Sequence, residues 1–588
     1  MQKTKTFKLL RTALLSSVFT FACSVAVAQQ APSPTTADLP LIEYDSIEHP
    51  VSARHGMVAS QNALATEIGV EILEQGGNAV DAAVAVGFAL AVTLPRAGNI
   101  SGGGFMLAYI AEEDKYIALD YKEMAPGAAH RNMYLLPDGS VDEHAIRSTR
   151  AGFGIPGTVA AFDLAVKKYG TMTLKELVKP AIKLAKEGIR VTDDMAYSLK
   201  RSTKRLSQEP AAMKVFLDDN GVALRSGDTL IQSDLAWSLE QIAKNGADAF
   251  YKGAIAKKLV ADMQANGGIV TMEDLANYKV AEREPLRGTY RGKEIIIMPP
   301  PSSGGVHILQ MFNVFEHYDI ESMGHNSAAT IHLMSEAMRQ AYADRSKHLG
   351  DPDVNDIPVE WLTSEAYAEQ TIAAIPADKA RLSSEVNPGT PRRPESPDTT
   401  HYSVMDKFGN VVSNTYSLNY SYGSGLMVPG TGILLNNGMD DFSAKPGSPN
   451  GYGLVGGEAN AISSYKRSLS SMTPVIVAAN GKPFMATGSP GGSRIITSVM
   501  QVLMNVIDHK MNLAEATHAP RIHHQWLPDK VYLEPGISPD TRAILSTMGH
   551  SIESTPFTMG STQSVEYKDG FFYGAADPRR PGAEALGY

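Results

Sequence analysis

The sequence predicts an α+β protein in which helices pack on stacked β-sheets. Two observations lead there. Strand-like and helix-like patterns mix along the whole chain instead of segregating into halves. Two segments alternate apolar and polar residues across tight turns, 401–418 around "DKFGN" and "SVEYKDGFFYGAAD" around Asp569-Gly570, and each reads as a hairpin. The 588 residues are enough for a large core and for more than one domain. The net charge is −10, from 53 basic and 63 acidic residues, which argues against a nucleic-acid binder.

The elements follow in chain order. Lys3, Lys5, Lys8 and Arg11 precede an apolar stretch from Ala13 to Ala22, and Ala26-Val27-Ala28 stands before Gln29. This is a secretory signal pattern over residues 1–28, followed by a mature chain that is periplasmic or secreted. The apolar run is short for a membrane span of about 20 residues, so no stable membrane insertion is expected. A lipoprotein reading through Cys23 lacks the residues it wants before the cysteine. Cys23 is the only cysteine, so the mature chain has no disulfide, thiolate nucleophile or Cys-ligated metal.

Residues 29–55 read as a loose leader. Two helices follow, the first ending at Gly76-Gly77 and the second opening at an Asn78 cap. The second is apolar nearly all round, as a buried helix is. "NISGGGFMLAYI" and "KYIALDYKEMAP" read as glycine turn, strand, turn, strand. Residues 150–290 are mostly helical by periodicity. "KEIIIMPPPSSGG" is a buried strand running into a turn, and a long helix starts near Asn326-Ser327. Residues 376–398 lose periodicity and carry five prolines, which marks a flexible linker. "KPFMATGSPGGSRIITSVMQVLMNVIDH" is strand, glycine turn, helix.

Thr399 stands where that linker meets a strand. One reading makes it a β-branched strand former. The other has the chain cut before it. Thr399 would then own a hydroxyl and a free α-amine with a pKa of about 8, a nucleophile with its own base. "GSPGGS" likewise reads as a plain tight turn, a phosphate cradle, or a pair of backbone N–H groups aimed at a developing oxyanion.

Longer motifs bear on this choice. "DTTHYSVMDKFGNVVSNTYSLNYSYGSG", "GILLNNGMDDFSAKPG", "SSMTP", "TGSPGGSRIIT" and "GSTQSVEY" together resemble the γ-glutamyltransferase (γ-glutamyltranspeptidase) family. So do "GMVASQNALATEIGVEILEQGGNAVDAAVAV", "GNISGGGFML", "PPPSSGGVH" and "QAYADRSKHLGDPD". The resemblance covers nearly all the mature chain. It implies an N-terminal-nucleophile hydrolase fold, a four-layer α-β-β-α sandwich. It also implies one precursor cut between Asp398 and Thr399 into subunits 29–398 and 399–588 that stay together.

The resemblance makes Thr399 the nucleophile, supported by Ser417 where the family usually has a second threonine. Asn419 and Asp441 match positions that hold the donor's α-ammonium, a cation suited to a carboxylate and an amide carbonyl. Ser470 and Ser471 match positions for its α-carboxylate, and Gly491 and Gly492 match the oxyanion hole. "KPGSPNGYGLVGG" matches an active-site lid with Tyr452 at its tip. Two positions depart from the pattern. Lys122 stands where the family has an arginine for the α-carboxylate, keeping the charge without the bidentate fork. Gly438 stands where bacterial members often have a glutamine.

The implied function is a self-processing γ-glutamyltransferase and glutathione hydrolase. It acts on glutathione and similar γ-glutamyl compounds and transfers to water, amino acids or dipeptides, with no cofactor and no metal. The two departures motivate a related acylase for a glutaryl-type amide as the alternative. A non-catalytic periplasmic binding protein is the remote one. His523-His524 reads as structural and "DPDVND" as a solvated loop; no Gly-x-Ser-x-Gly elbow or P-loop occurs.

Overall fold

The expected hairpin forms as strands Thr400–Asp406 and Val411–Ser417, and it becomes the middle of a seven-stranded sheet. The computed structural model describes residues 46–386, 399–451, 453–555 and 558–588. The expectations for the signal segment, Cys23, Asp398, Tyr452 and the second half of the linker therefore lie outside the described residues. Gly56–Ser60 and then Glu584–Gly587 flank the hairpin on one side; Gly103–Ile110, Lys115–Asp120 and Ala281–Arg283 flank it on the other. All its pairings are antiparallel.

A second antiparallel sheet of seven strands packs against the first. Its order is Val51–Ala53, Phe571–Ala576, Gln563–Lys568, Lys482–Thr487, Val475–Ala479, Lys293–Ile297 and Leu286–Tyr290. Both sheets interleave strands from before and after the linker. Their hydrogen-bond ladders therefore hold the two parts together without any covalent link between them.

Alternation along each strand separates two cores. Met57, Ala59, Phe105, Leu107 and Met405 face the second sheet and join Ile295, Ile297, Val475, Val477 and Met485. Val58, Met106, Ala108, Tyr402 and Val404 face the other way, onto the helices Ala63–Glu74, Ala79–Thr93 and Thr158–Tyr169. Helices Gly304–Phe315, Ala328–His348 and Arg494–Ile507 contribute to the first core from beyond the second sheet. The result is helix, sheet, sheet, helix, the four expected layers.

Local chemistry explains the central buried helix. Asn78 caps Ala79–Thr93 with a complete capping box through Asp81. Ala79 N donates to Asp406 Oδ2 at 2.7 Å, so the end of the central strand anchors the helix start. The inter-sheet space also has a polar seam. Ser403 Oγ donates to Gln563 O at 3.0 Å. Ser413 Oγ donates to Thr487 O at 3.0 Å and accepts from Val475 N at 3.2 Å.

Three expectations change. Val51–Ala53 is an edge strand, although leader-like polar residues surround it. The helical stretch ends before Ala281–Arg283 and Leu286–Tyr290, which are strands completed by sheet neighbours. The first part of the linker, 376–386, is held in place. Ala380 N donates to Met548 O at 2.8 Å, Arg381 Nε to Glu336 Oε2 at 2.6 Å, and Trp526 Nε1 to Val386 O at 2.8 Å. Absence of periodicity cannot reveal such distant partners. Among the described residues no helix is long and apolar enough to cross a membrane.

Ser413→Ala removes the bridge between the sheets and leaves Val475 N buried without its acceptor. We expect a loss of about 1–3 kcal/mol in stability, read from urea unfolding. An unchanged midpoint would show that the seam contributes nothing.

Candidate functional site

Register places the first pair of site residues. Thr400 opposes Tyr416, so Thr399, one residue earlier, comes opposite Ser417. Thr399 Oγ1 donates to Ser417 Oγ at 3.4 Å, and Ser417 Oγ accepts from Asn419 N at 2.8 Å. Thr399 shares the side of Ser403 and Met405, which face the second sheet. It therefore stands at the rim of the inter-sheet seam, buried except for its pocket side.

The second sheet delivers the glycine pair to the same rim. Strand Lys482–Thr487 leads to Gly491 and Gly492, whose φ values of +136° and +56° suit glycine. Helix Arg494–Ile507 begins two residues later, so its positive end points the same way. Neither glycine N–H donates to any group among the described residues. Gly492 lines the pocket, and Gly491 lies one residue behind the wall.

A pocket at this rim opens to solvent. It brings together Thr399, Ser417, Asn419, Asp441, Ser470, Ser471, Gly492 and Lys122 from the expected set. The "PPPSSGG" turn braces the two serines. Ser470 N donates to Pro301 O at 2.8 Å and Ser303 N to Ser470 O at 2.7 Å. Ser302 Oγ donates to Met472 O at 2.7 Å. Asn419, at φ +78°, donates from Nδ2 to Asn437 O at 2.9 Å, which orients its amide.

Lys122 is engaged. Its Nζ donates to Asp441 Oδ2 at 2.7 Å and to Glu123 Oε2 at 2.8 Å. Burial pulls its pKa down, but the two carboxylates outweigh that and hold it above the ordinary lysine range. The Lys122 side chain is 1% exposed and that of Asp441 14%, so the carboxylate meets the pocket first. Gly438 opens the short turn Gly438–Asp441. A Cβ there would press on the Glu123 side chain at 3.2 Å. A side chain at 438 would therefore need Glu123 and Asn436 to shift slightly.

The segment matched to a lid approaches closely. Gly451 N donates to Asp440 Oδ2 at 3.2 Å. A Cβ on Gly451 would fall 1.5 Å from the Tyr420 hydroxyl, so only glycine fits this contact. Asp440 also accepts from Arg147 Nε at 3.1 Å and from the Tyr420 hydroxyl. Burial, helped by the neighbouring Asp441 charge, pushes the Asp440 carboxyl up to about 6 against the pull of Arg147 and Tyr420.

Sequence reasoning missed Arg345, Asn450, Leu454, Leu469 and Met472 as lining residues. Arg345 lies inside the quoted "QAYADRSKHLGDPD", but a helical pattern alone does not tell which face meets a pocket. It also missed a cluster of His332, Glu336 and His550, whose ligand atoms lie within 4.8 Å of one another. The i, i+4 pair was readable; the distant His550 was not. Glu336 is already bonded to Arg339 and Arg381, and these guanidinium charges oppose a cation. His523 and His524 are buried, with their pKa values pushed down to about 3 and about 4, chiefly by burial. In "DPDVND", Asp351 accepts from Arg467 N at 2.7 Å, and Asp353 accepts from Arg283 Nη2 at 2.9 Å. That loop is tied into the fold rather than simply solvated.

A family model described as Gamma-glutamyltranspeptidase matches residues 65–587. A glutathione hydrolase proenzyme of Escherichia coli (strain K12) is 50% identical over 580 residues, covering 98% of this chain and 99% of that protein. The crystal structure of Helicobacter pylori gamma-glutamyltranspeptidase is 44% identical with a TM-score of 0.56, covering 58% of this chain and 97% of that one. A cephalosporin acylase from Bacillus halodurans is similar in structure at 28% identity and a TM-score of 0.82, covering 95% of this chain and 98% of its own.

The Asp440 contact makes the segment around Gly451 sensitive to pH. Protonating Asp440 as pH falls through about 6 weakens its acceptance from the Gly451 N–H. Amide protection near Gly451, corrected for intrinsic exchange, should drop there. Asp440→Asn should lower it at every pH and abolish the step. A step that survives in Asp440→Asn would place the titrating group elsewhere.

Proposed function

The chain belongs to the γ-glutamyltranspeptidase family, and on that premise we propose how its residues work. It is a self-processing γ-glutamyltransferase and glutathione hydrolase. The observation that carries the mechanism is a threonine hydroxyl at a pocket lined also by Gly492, whose N–H has no acceptor among the described residues, and by a carboxylate reachable from solvent.

In the first reaction, Thr399 Oγ1 attacks the Asp398 carbonyl. The Asp398–Thr399 amide becomes an ester, and water opens it. Thr399 then has a free amine. In the second, Thr399 Oγ1 attacks the γ-carbonyl of the donor while that amine takes the hydroxyl proton. The N–H groups of Gly491 and Gly492 stabilise the tetrahedral oxyanion. The proton passes to the departing amine, leaving a γ-glutamyl ester on Thr399. Water or an acceptor amine attacks the ester and regenerates the hydroxyl. The acceptor must be unprotonated, so transfer gains on hydrolysis as pH rises.

Ser417 supports the nucleophile through its hydrogen bond. Asp441 and Asn419 receive the donor's α-ammonium. Ser470 and Ser471 receive its α-carboxylate, with Lys122 adding positive charge to the same pocket. Tyr452 belongs to the segment proposed as a lid. Residues 1–28 are removed on export, and the product is periplasmic or secreted.

Purified protein should show two fragments, the smaller beginning at Thr399 by N-terminal sequencing. Thr399→Ala should abolish both cleavage and γ-glutamyl anilide hydrolysis, whereas Thr399→Ser should still cleave. A fully active, uncut Thr399→Ala protein would put the nucleophile elsewhere. Asp441→Ala should cost γ-glutamyl substrates on the order of 2–4 kcal/mol and a glutaryl anilide much less, since glutaryl lacks the ammonium. Equal losses on both would make Asp441 structural.

A further inference from the structure

We propose that Arg345 is the cation that receives the donor's α-carboxylate, while Lys122 stays on Glu123 when the donor binds. The assignment rests on the γ-glutamyl donor reading above.

Arg345 lies in the last turn of helix Ala328–His348 and lines the pocket. Its Nε donates to Ser303 Oγ at 3.0 Å and its Nη2 to Ser471 Oγ at 3.3 Å. Both partners are neutral hydroxyls. Among the described residues no carboxylate lies within ion-pair distance of it, unlike Lys122, which has two. The residue is only 4% exposed. Asp441 acts on it only from beyond ion-pair distance, and a buried cation without a close anion is costly, a cost that an arriving carboxylate relieves. Burial lowers its pKa to about 10, so it remains charged at neutral pH. Ser471 is the serine already expected at the α-carboxylate, so an anion on that hydroxyl meets the guanidinium edge directly.

Charge accounting selects the same arrangement. Two cations, Lys122 and Arg345, and two carboxylates, Glu123 and Asp441, meet at the site. The donor's head group is a zwitterion. With its ammonium on Asp441 and its carboxylate on Arg345, Lys122 keeps Glu123 and every charge has a partner. With its carboxylate on Lys122 instead, Arg345 stays unmatched. Exposure agrees, because the Asp441 side chain is the more exposed of the pair. The planar fork that lysine lacks at position 122 then comes from another helix.

The test uses the purified, self-cleaved enzyme with γ-glutamyl and 4-aminobutyryl anilides. The second keeps the amine and lacks the α-carboxylate. Arg345→Gln should raise KM for the γ-glutamyl anilide at least about tenfold, the scale of one charge-assisted pair. It should leave KM for the 4-aminobutyryl anilide unchanged. Arg345→Lys should fall between wild type and Arg345→Gln. Lys122→Met should impair both anilides, because it disturbs Asp441. Self-cleavage and thermal unfolding report that each variant folds. Calorimetric binding of L-glutamate and 4-aminobutyrate should repeat the contrast without turnover. Equal changes for both anilides in the Arg345 variants, or an unchanged γ-glutamyl KM, overturns the assignment. A wild-type enzyme that ignores the γ-glutamyl anilide overturns the donor reading itself, and this assignment with it.

Discussion

The pairing register between Thr400–Asp406 and Val411–Ser417 is the constraint on which the site depends. It sets Thr399 opposite Ser417 and decides which alternate residues face the second sheet. A slip of one residue would turn Thr399 toward the helix layer, away from the glycine pair. Much of the structure defends against that slip. The hairpin has paired strands on both sides. Tyr402 and Val404 are buried in one core and Met405 in the other. Ser403 and Ser413 bond across to the second sheet.

The same arrangement reconciles a cut chain with an intact protein. Every strand of the central hairpin belongs to the segment after the linker, while its immediate neighbours, Gly56–Ser60 and Gly103–Ile110, belong to the segment before it. A break next to Thr399 removes no ladder hydrogen bond. The docking of 376–386 onto Met548, Glu336 and Trp526 holds the chain on the upstream side of the break.

Charge is the second organising quantity. Lys122, Arg345 and Asp441 line the pocket, and Lys122 is paired with both Asp441 and the neighbouring Glu123. Arg345 differs, because its side-chain hydrogen bonds go to hydroxyls and Asp441 acts on it only from beyond ion-pair distance. A pocket of this kind discriminates by matching ions rather than by area. A donor without an ammonium leaves Asp441 to Lys122, and one without a carboxylate leaves Arg345 as it was. Gly438 adjoins these groups, since a Cβ there would come within 3.2 Å of the Glu123 side chain.

The sequence by itself determined the layered α+β class, both hairpins, the Asn78 cap and the glycine turn before Arg494–Ile507, because each is written in local periodicity or turn chemistry. Motif resemblance also supplied the membership of the site. Eight of its named residues meet in one pocket, Gly491 stands just behind it, and Tyr452 falls outside the described residues. Tertiary structure alone decided the rest. Val51–Ala53 and Ala281–Arg283 are strands because partners far away in the chain pair with them. Helix Gly304–Phe315 rises from what reads as a turn, where Gly305 packs closely against Met298. Lys122 looked like an open cation in "DYKEMAP", and the fold gives it Glu123 and Asp441. Arg345 looked like one more charge on a long helix, and the fold buries it with no carboxylate within ion-pair distance among the described residues. Local patterns carry backbone preferences and the parity of faces. They do not carry the distances between charges remote in sequence, and those distances set which charges remain available for a ligand.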